Sequence, residues 1–111
     1  MIVAIPLEDG KLCPHFGHCA GFALIQTGEA NAIAGRQDAE APPHEPGALP
    51  NWLHDRGVGL VICGGMGSRA IELFRQKGIK VVTGAPVGEP EELVRAYFSG
   101  TLNASGNICD H

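Results

Sequence analysis

The sequence predicts a three-layer α/β fold, a mixed five-stranded sheet with helices on both faces. Three observations predict it. Residues 1–6 (MIVAIP), 59–63 (GLVIC) and 79–83 (IKVVT) are short, largely apolar runs rich in β-branched residues, as suits strands covered on both sides. Each of the last two runs follows a stretch with helical spacing and is followed by another. Residues 22–27 and 30–36 read as two antiparallel strands across a Gly28-Glu29 turn.

Taken in order, residues 1–6 should form the middle strand of the sheet. Residues 7–21 break its pattern with Asp9-Gly10, Pro14 and Gly17, and read as a loop. Residues 37–50 contain four prolines and read as a surface loop that ends as Pro50 enters a helix. Leu49, Trp52 and Leu53 should form that helix's buried face, with Gly57 as a left-handed cap and Val58 as its apolar partner. A second helix should bury Ala70, Ile71, Leu73 and Phe74 and end at Gly78. A third opens with Glu89, Pro90, Glu91 and Glu92, buries Leu93, Val94, Tyr97 and Phe98, and stops at Gly100. Residues 1–100 thus make a single α/β domain, and residues 101–111 a polar carboxyl-terminal tail.

Composition removes several function classes. A net charge of -4, with 8 scattered Lys and Arg, offers no basic stripe for nucleic acid. No apolar run approaches the roughly 20 residues of a membrane span, and no secretory signal is visible, so a cytoplasmic protein is expected. In that reducing compartment the 4 cysteines read as metal ligands or buried thiols.

The order β-β-β-α-β-α-β-α brings three loops to the carboxyl ends of the parallel strands, where ligands collect in such sheets. The loop after the first strand carries Cys13, His15, His18 and Cys19. Thiolate and imidazole are the ligands that zinc, copper and iron-sulfur centres take from proteins. Each residue also has a plain alternative, a buried small side chain for Cys19 or a carbonyl-bonded ring for His15. The loop after the fourth strand, Cys63-Gly64-Gly65-Met66-Gly67, turns into a helix, where free amides and Arg69 could face an anion or a sulfide. Cys63 itself reads first as packing and second as a ligand. His54 reads as solvated surface, and His44 lies in the proline-rich loop.

Gly65-x-Gly67-x-x-Ala70 imitates a dinucleotide fingerprint, but the next strand ends in Val82, Thr83 and Gly84, without the acidic residue a ribose requires. A two-magnesium nuclease needs carboxylates on its central strands, and residues 1–6 have none. The tail ends Cys109-Asp110-His111. The last helix returns over about 15 Å, and the nine residues after Gly100 can reach up to about 30 Å, so Cys109 and His111 can reach the Cys13 loop.

Three stretches together resemble the dinitrogenase iron-molybdenum cofactor biosynthesis family, whose members include NifX, NafY and the carboxyl-terminal domain of NifB. They are Ile5-Pro-Leu-Glu-Asp-Gly10 with Pro14-His-Phe-Gly-His-Cys19, His44-Glu-Pro-Gly-Ala-Leu-Pro50, and Cys63-Gly-Gly-Met-Gly-x-Arg69-Ala with Gly78-Ile-Lys-Val. The resemblance implies a ribonuclease-H-like fold without nuclease chemistry, and binding or carriage of iron-sulfur or molybdenum-containing clusters. A related small protein type carries a mixed molybdenum-copper sulfide cluster, which these ligands would also suit. The expectation is a non-enzymatic accessory in metallocluster assembly, with Cys13, His15, His18, Cys19, Cys109 and His111 as metal ligands and Gly64, Gly65, Gly67 and Arg69 facing the cluster. Its partners would be the cluster or metal ion and a cluster-assembly protein. The alternatives are a mononuclear zinc or copper protein for regulation or storage, and a metal-free partner-binding adaptor.

Overall fold

The computed structural model describes residues 1–13, 20–41 and 48–102. Among them it shows a mixed six-stranded open sheet and three α-helices. β1 (Ile2–Glu8) is the central strand, as its apolar run requires, in the order β4-β3-β1-β5-β6. β3 (Gly21–Thr27) and β4 (Ile33–Glu40) continue antiparallel on one side. β5 (Val58–Ile62) and β6 (Lys80–Val82) continue parallel on the other.

The expected five strands become six through β2 (Lys11–Leu12), which folds back on β1 with Glu8 opposite Lys11 and Leu7 opposite Leu12. The turn between them is Asp9-Gly10, with φ of 55° and 80°. Those two positive angles make the type I′ bend that matches the twist of a two-residue hairpin, a conformation Asp tolerates and Gly favours. Two further expectations are corrected. The β3–β4 connection is a short 3-10 turn over Glu29–Asn31, closed by Gly28 N–H donating to Ala32 O at 2.8 Å, so β4 starts at Ile33 and not at Ala30. β4 also runs on to Glu40 through residues read as loop, because its pairing with β3 holds an exposed, charged edge strand that no apolar alternation announces.

Helices α1 (Ala48–Asp55) and α2 (Ser68–Gln76) cover one sheet face, where Leu49, Leu53 and Phe74 share a core with Ala4, Phe22, Val61 and Ile79. Helix α3 (Pro90–Ser99) covers the other, packing Leu93 and Val94 with Val3, Ile5, Ala23, Ile25, Leu60 and Ile62. Trp52 and Ile71 are partly buried against the first core, and Tyr97 and Phe98 against the second. Gly57, Gly78 and Gly100 take φ of 81°, 77° and 78°, the left-handed values expected of residues that stop helices. Beyond Gly100, Thr101 N–H and Leu102 N–H both donate to Ala96 O, and Leu102 packs on the α3 core.

Arg36 ties edge strand β4 to the helix layer. Its Nε and Nη2 donate to the two Asp38 oxygens at 2.7 and 3.1 Å, and its Nη1 pairs with Glu91 at the start of α3. The Asp38 hydrogen bonds hold the guanidinium's pKa above its ordinary value. Because these groups are partly solvated, Arg36→Ala should cost only about 0.5–1 kcal/mol. Urea unfolding at low and high salt checks this, and a loss that does not shrink with added salt would contradict a mainly electrostatic tie.

Candidate functional site

Pairing on both edges of β1 brings the loops together. Leu7 pairs with Gly21 of β3 on one edge and with Leu12 of β2 on the other. β5 pairs with β1 only through Ile2, Val3 and Ala4, and it does so on the β2 edge. β2 and β5 therefore approach each other end to end along one side of β1. Cys13, the residue after β2, donates its N–H to Pro6 O at 2.8 Å. The paired stretch of β5 ends at Val61 opposite Ala4, two residues before Cys63.

Cys13 and Cys63, fifty residues apart in the chain, belong to one core. Both are buried in the core beneath α1 and α2, with relative exposures of 1% and 0%, and Met66 joins that core at 7%. Cys63 N–H donates to Val82 O at 2.9 Å, and its Sγ lies 3.6 Å from the same oxygen. Ala85 N–H returns a bond to Cys63 O at 3.1 Å, and Gly84 N–H one to Gly64 O at 2.6 Å. Leu12 N–H donates to Gly88 O at 3.1 Å. The end of β2 and the loops after β5 and β6 are so joined at one edge by main-chain bonds.

Gly64 and Gly65 are half-buried, whereas Gly67 and Arg69 are exposed. Gly67 is the N-cap of α2, with no side chain capping the helix, and a Cβ built on it would meet nothing within 4 Å. Packing therefore does not demand glycine there. Its bareness leaves the first amides of α2 open, which suits an anionic group at the positive end of the helix. The side chains buried at this edge include two thiols and a thioether, soft ligand types.

Of the ligands expected from sequence, Cys13 lies at this edge, but as a buried core residue. His15, His18, Cys19, Cys109 and His111 lie outside the described residues, as does His44. Among the described residues, no three of His, Cys, Asp and Glu come together as a metal-holding group. His54 is exposed, as expected. Cys63 reads from sequence first as packing and second as a ligand, and its full burial in the core bears out the first.

Two open depressions mark the surface of the described residues. One, of about 450 Å³, runs under β4 along Ile2, Leu24, Gln26, Gly35, Gln37 and Arg56. The other, of about 250 Å³, lies beside the Asp9-Gly10 turn.

Comparison with known proteins decides the family. The model of the dinitrogenase iron-molybdenum cofactor family matches residues 1–100. The chain belongs to that family. An uncharacterized protein of Methanocaldococcus jannaschii, MJ0580, is 29% identical over 106 residues, spanning 92% of this chain and 89% of that one. The crystal structure of the protein PH0822 is similar at 35% identity, with a TM-score of 0.86 and 95% of both chains covered. The apo form of the orange protein of Desulfovibrio gigas shares the fold, with a TM-score of 0.72 at 22% identity over 94% of this chain and 92% of that one. Among the described residues no helix is long and apolar enough to cross a membrane.

Proposed function

We propose that this protein binds an iron-sulfur or molybdenum-containing cluster and passes it on, as a non-enzymatic accessory to metallocluster assembly in the cytoplasm. The observation that carries this reading is the carboxyl edge where main-chain bonds join the end of β2 and the loop after β5 to the loop after β6, in a chain of the iron-molybdenum cofactor family. Loops that hold soft ligands without a carboxylate pair suit holding a cluster and not hydrolysis. The ligands are Cys13, His15, His18 and Cys19, completed by Cys109 and His111. Gly64, Gly65, Gly67 and Arg69 face the cluster's sulfides, and a cluster-assembly protein is the partner. The fold is of the ribonuclease-H-like kind, with residues 1–100 as the domain and 101–111 as a ligand-bearing appendage.

The test is anaerobic reconstitution with iron, sulfide and molybdate, followed by visible absorption and metal and sulfide analysis. Coloured protein with stoichiometric sulfide is expected. Colourless protein holding zinc or copper alone would favour the mononuclear reading, and protein holding no metal the adaptor. Deleting residues 107–111 should release most of the bound metal while the melting temperature of the metal-free protein stays within about 2 °C, because the sequence there carries no periodic apolar face for the core. Equal retention in the deleted protein would remove Cys109 and His111 from the ligand set.

A further inference from the structure

We infer that a second copy of this chain pairs antiparallel with β4, edge to edge, in the register that sets Arg36 opposite the partner's Asp38. Among the described residues nothing pairs with the outer edge of β4, which ends the sheet. The groups on that edge follow from the hydrogen bonds of β3. Met1 and Thr27 exchange both main-chain bonds, at 3.1 and 2.8 Å, so they are a hydrogen-bonded pair. Such pairs alternate with unbonded ones, so Phe22, Leu24 and Gln26 turn their main-chain groups away from β1 and toward β4. Their partners there are Ala39, Gln37 and Gly35. The main-chain N–H and C=O groups of Arg36 and Asp38 therefore point outward, where another strand can bond them.

Charge selects that strand and its register. A twofold pair brings together the same segment of both copies. Centred on Gln37, it sets Arg36 opposite the partner's Asp38 and Asp38 opposite the partner's Arg36, and both rungs join residues whose main-chain groups face outward. Unlike charges directly across a pair of strands stabilise it, and like charges do the reverse. Centring the pair one residue earlier would oppose two Arg36 side chains, and one residue later two Asp38 side chains. On the other face, the Gln37-centred register places Gly35 against the partner's Ala39 and Gln37 against its own copy, small or neutral residues with nothing to repel. Charges on an edge strand ordinarily keep other strands away, but the order of these charges is complementary to itself. The bonds of Arg36 to Asp38 and Glu91 within each copy need not break, because its guanidinium keeps N–H donors to spare.

Sedimentation of the full chain is expected to show a species of twice 11.6 kDa that dissociates on dilution. Arg36→Asp and Asp38→Arg each put like charges across both rungs, and each variant should sediment as a monomer with unchanged far-ultraviolet dichroism. Mixed in equal amounts, the two variants again oppose unlike charges at both rungs, and the dimer should return. Unfolded chains could not give that recovery.

A second measurement reads the register. Gln37→Cys, mildly oxidised, should give dimers joined through the two introduced thiols, because an unbonded rung holds its Cα atoms about 4.5 Å apart, within disulfide reach. A wild-type chain that stays monomeric up to millimolar concentration overturns the assignment. So does a dimer untouched by either charge reversal, or a mixture of the two variants that stays monomeric.

Discussion

Phe74→Ala is expected to destabilise the protein by about 3–5 kcal/mol, the range for emptying a large aromatic site in a close-packed core. Phe74 is the one residue of α2 that is fully buried, at 0% exposure, and it sits in the core shared by Leu53, Val61 and Ile79. Its carbonyl also accepts the N–H groups of Lys77 and Ile79 as the helix turns into β6. The side chain thus holds α2 to the sheet, and with it the loop that carries Cys63 and Met66. Two residues on, Gln76 is exposed, and Gln76→Ala should stay within about 0.5 kcal/mol. Urea unfolding of both variants decides the matter. Equal midpoints would mean that α2 does not face the sheet through Phe74.

Gly21→Ala should be nearly as damaging for a different reason. Gly21 begins β3 and faces Glu40 in β4 on one side and Leu7 in β1 on the other. A Cβ there would stand 2.5 Å from the main-chain oxygen of Ala39. A carbonyl in a paired strand cannot swing aside as a side chain can, so β4 would have to move off. A loss of about 1–3 kcal/mol is expected from such overpacking. Gly35, in the middle of β4, has nothing within 4 Å of an added Cβ, and Gly35→Ala should be neutral or stabilising by up to about 1 kcal/mol. Amide exchange across 33–40 separates the two. Unchanged protection of β4 in Gly21→Ala would show that the clash is relieved without loss of pairing.

The layers of this fold were legible because their signals are local. A buried strand such as residues 58–62 betrays itself by apolar continuity, and α3 by Pro90, its early glutamates and Gly100. What escaped was held by partners distant in sequence. Residues 37–40 carry no apolar alternation, and only their pairing with residues 21–24 makes them a strand. β2 is two residues long, too short for any periodicity, although Asp9-Gly10 is a strong hairpin signal that was read only as a break. The site divides in the same way. Cys13 stood out among neighbouring histidines, while Cys63 stood alone between Ile62 and Gly64 and read as packing. That packing reading holds, since Cys63 is fully buried in the core that also takes in Cys13, whereas which edge of β1 each strand occupies is settled only once the sheet has formed.

The end-to-end meeting of β2 and β5 also has a consequence in time. On a ribosome, residues 1–40 emerge first and can zip into the antiparallel half of the sheet, β4-β3-β1, with β2 folded back at its rim. The stretch of β1 from Ile2 to Ala4 then waits with one edge bare, because its parallel partner is not yet made. Fifty residues separate Cys13 from Cys63, or roughly 3–10 s of synthesis, and β6 and its loop follow later still. A nascent chain therefore displays Cys13 before the wall that buries it exists. The core that buries Cys13 is therefore complete only after β5, α2 and the residues that follow them have been made.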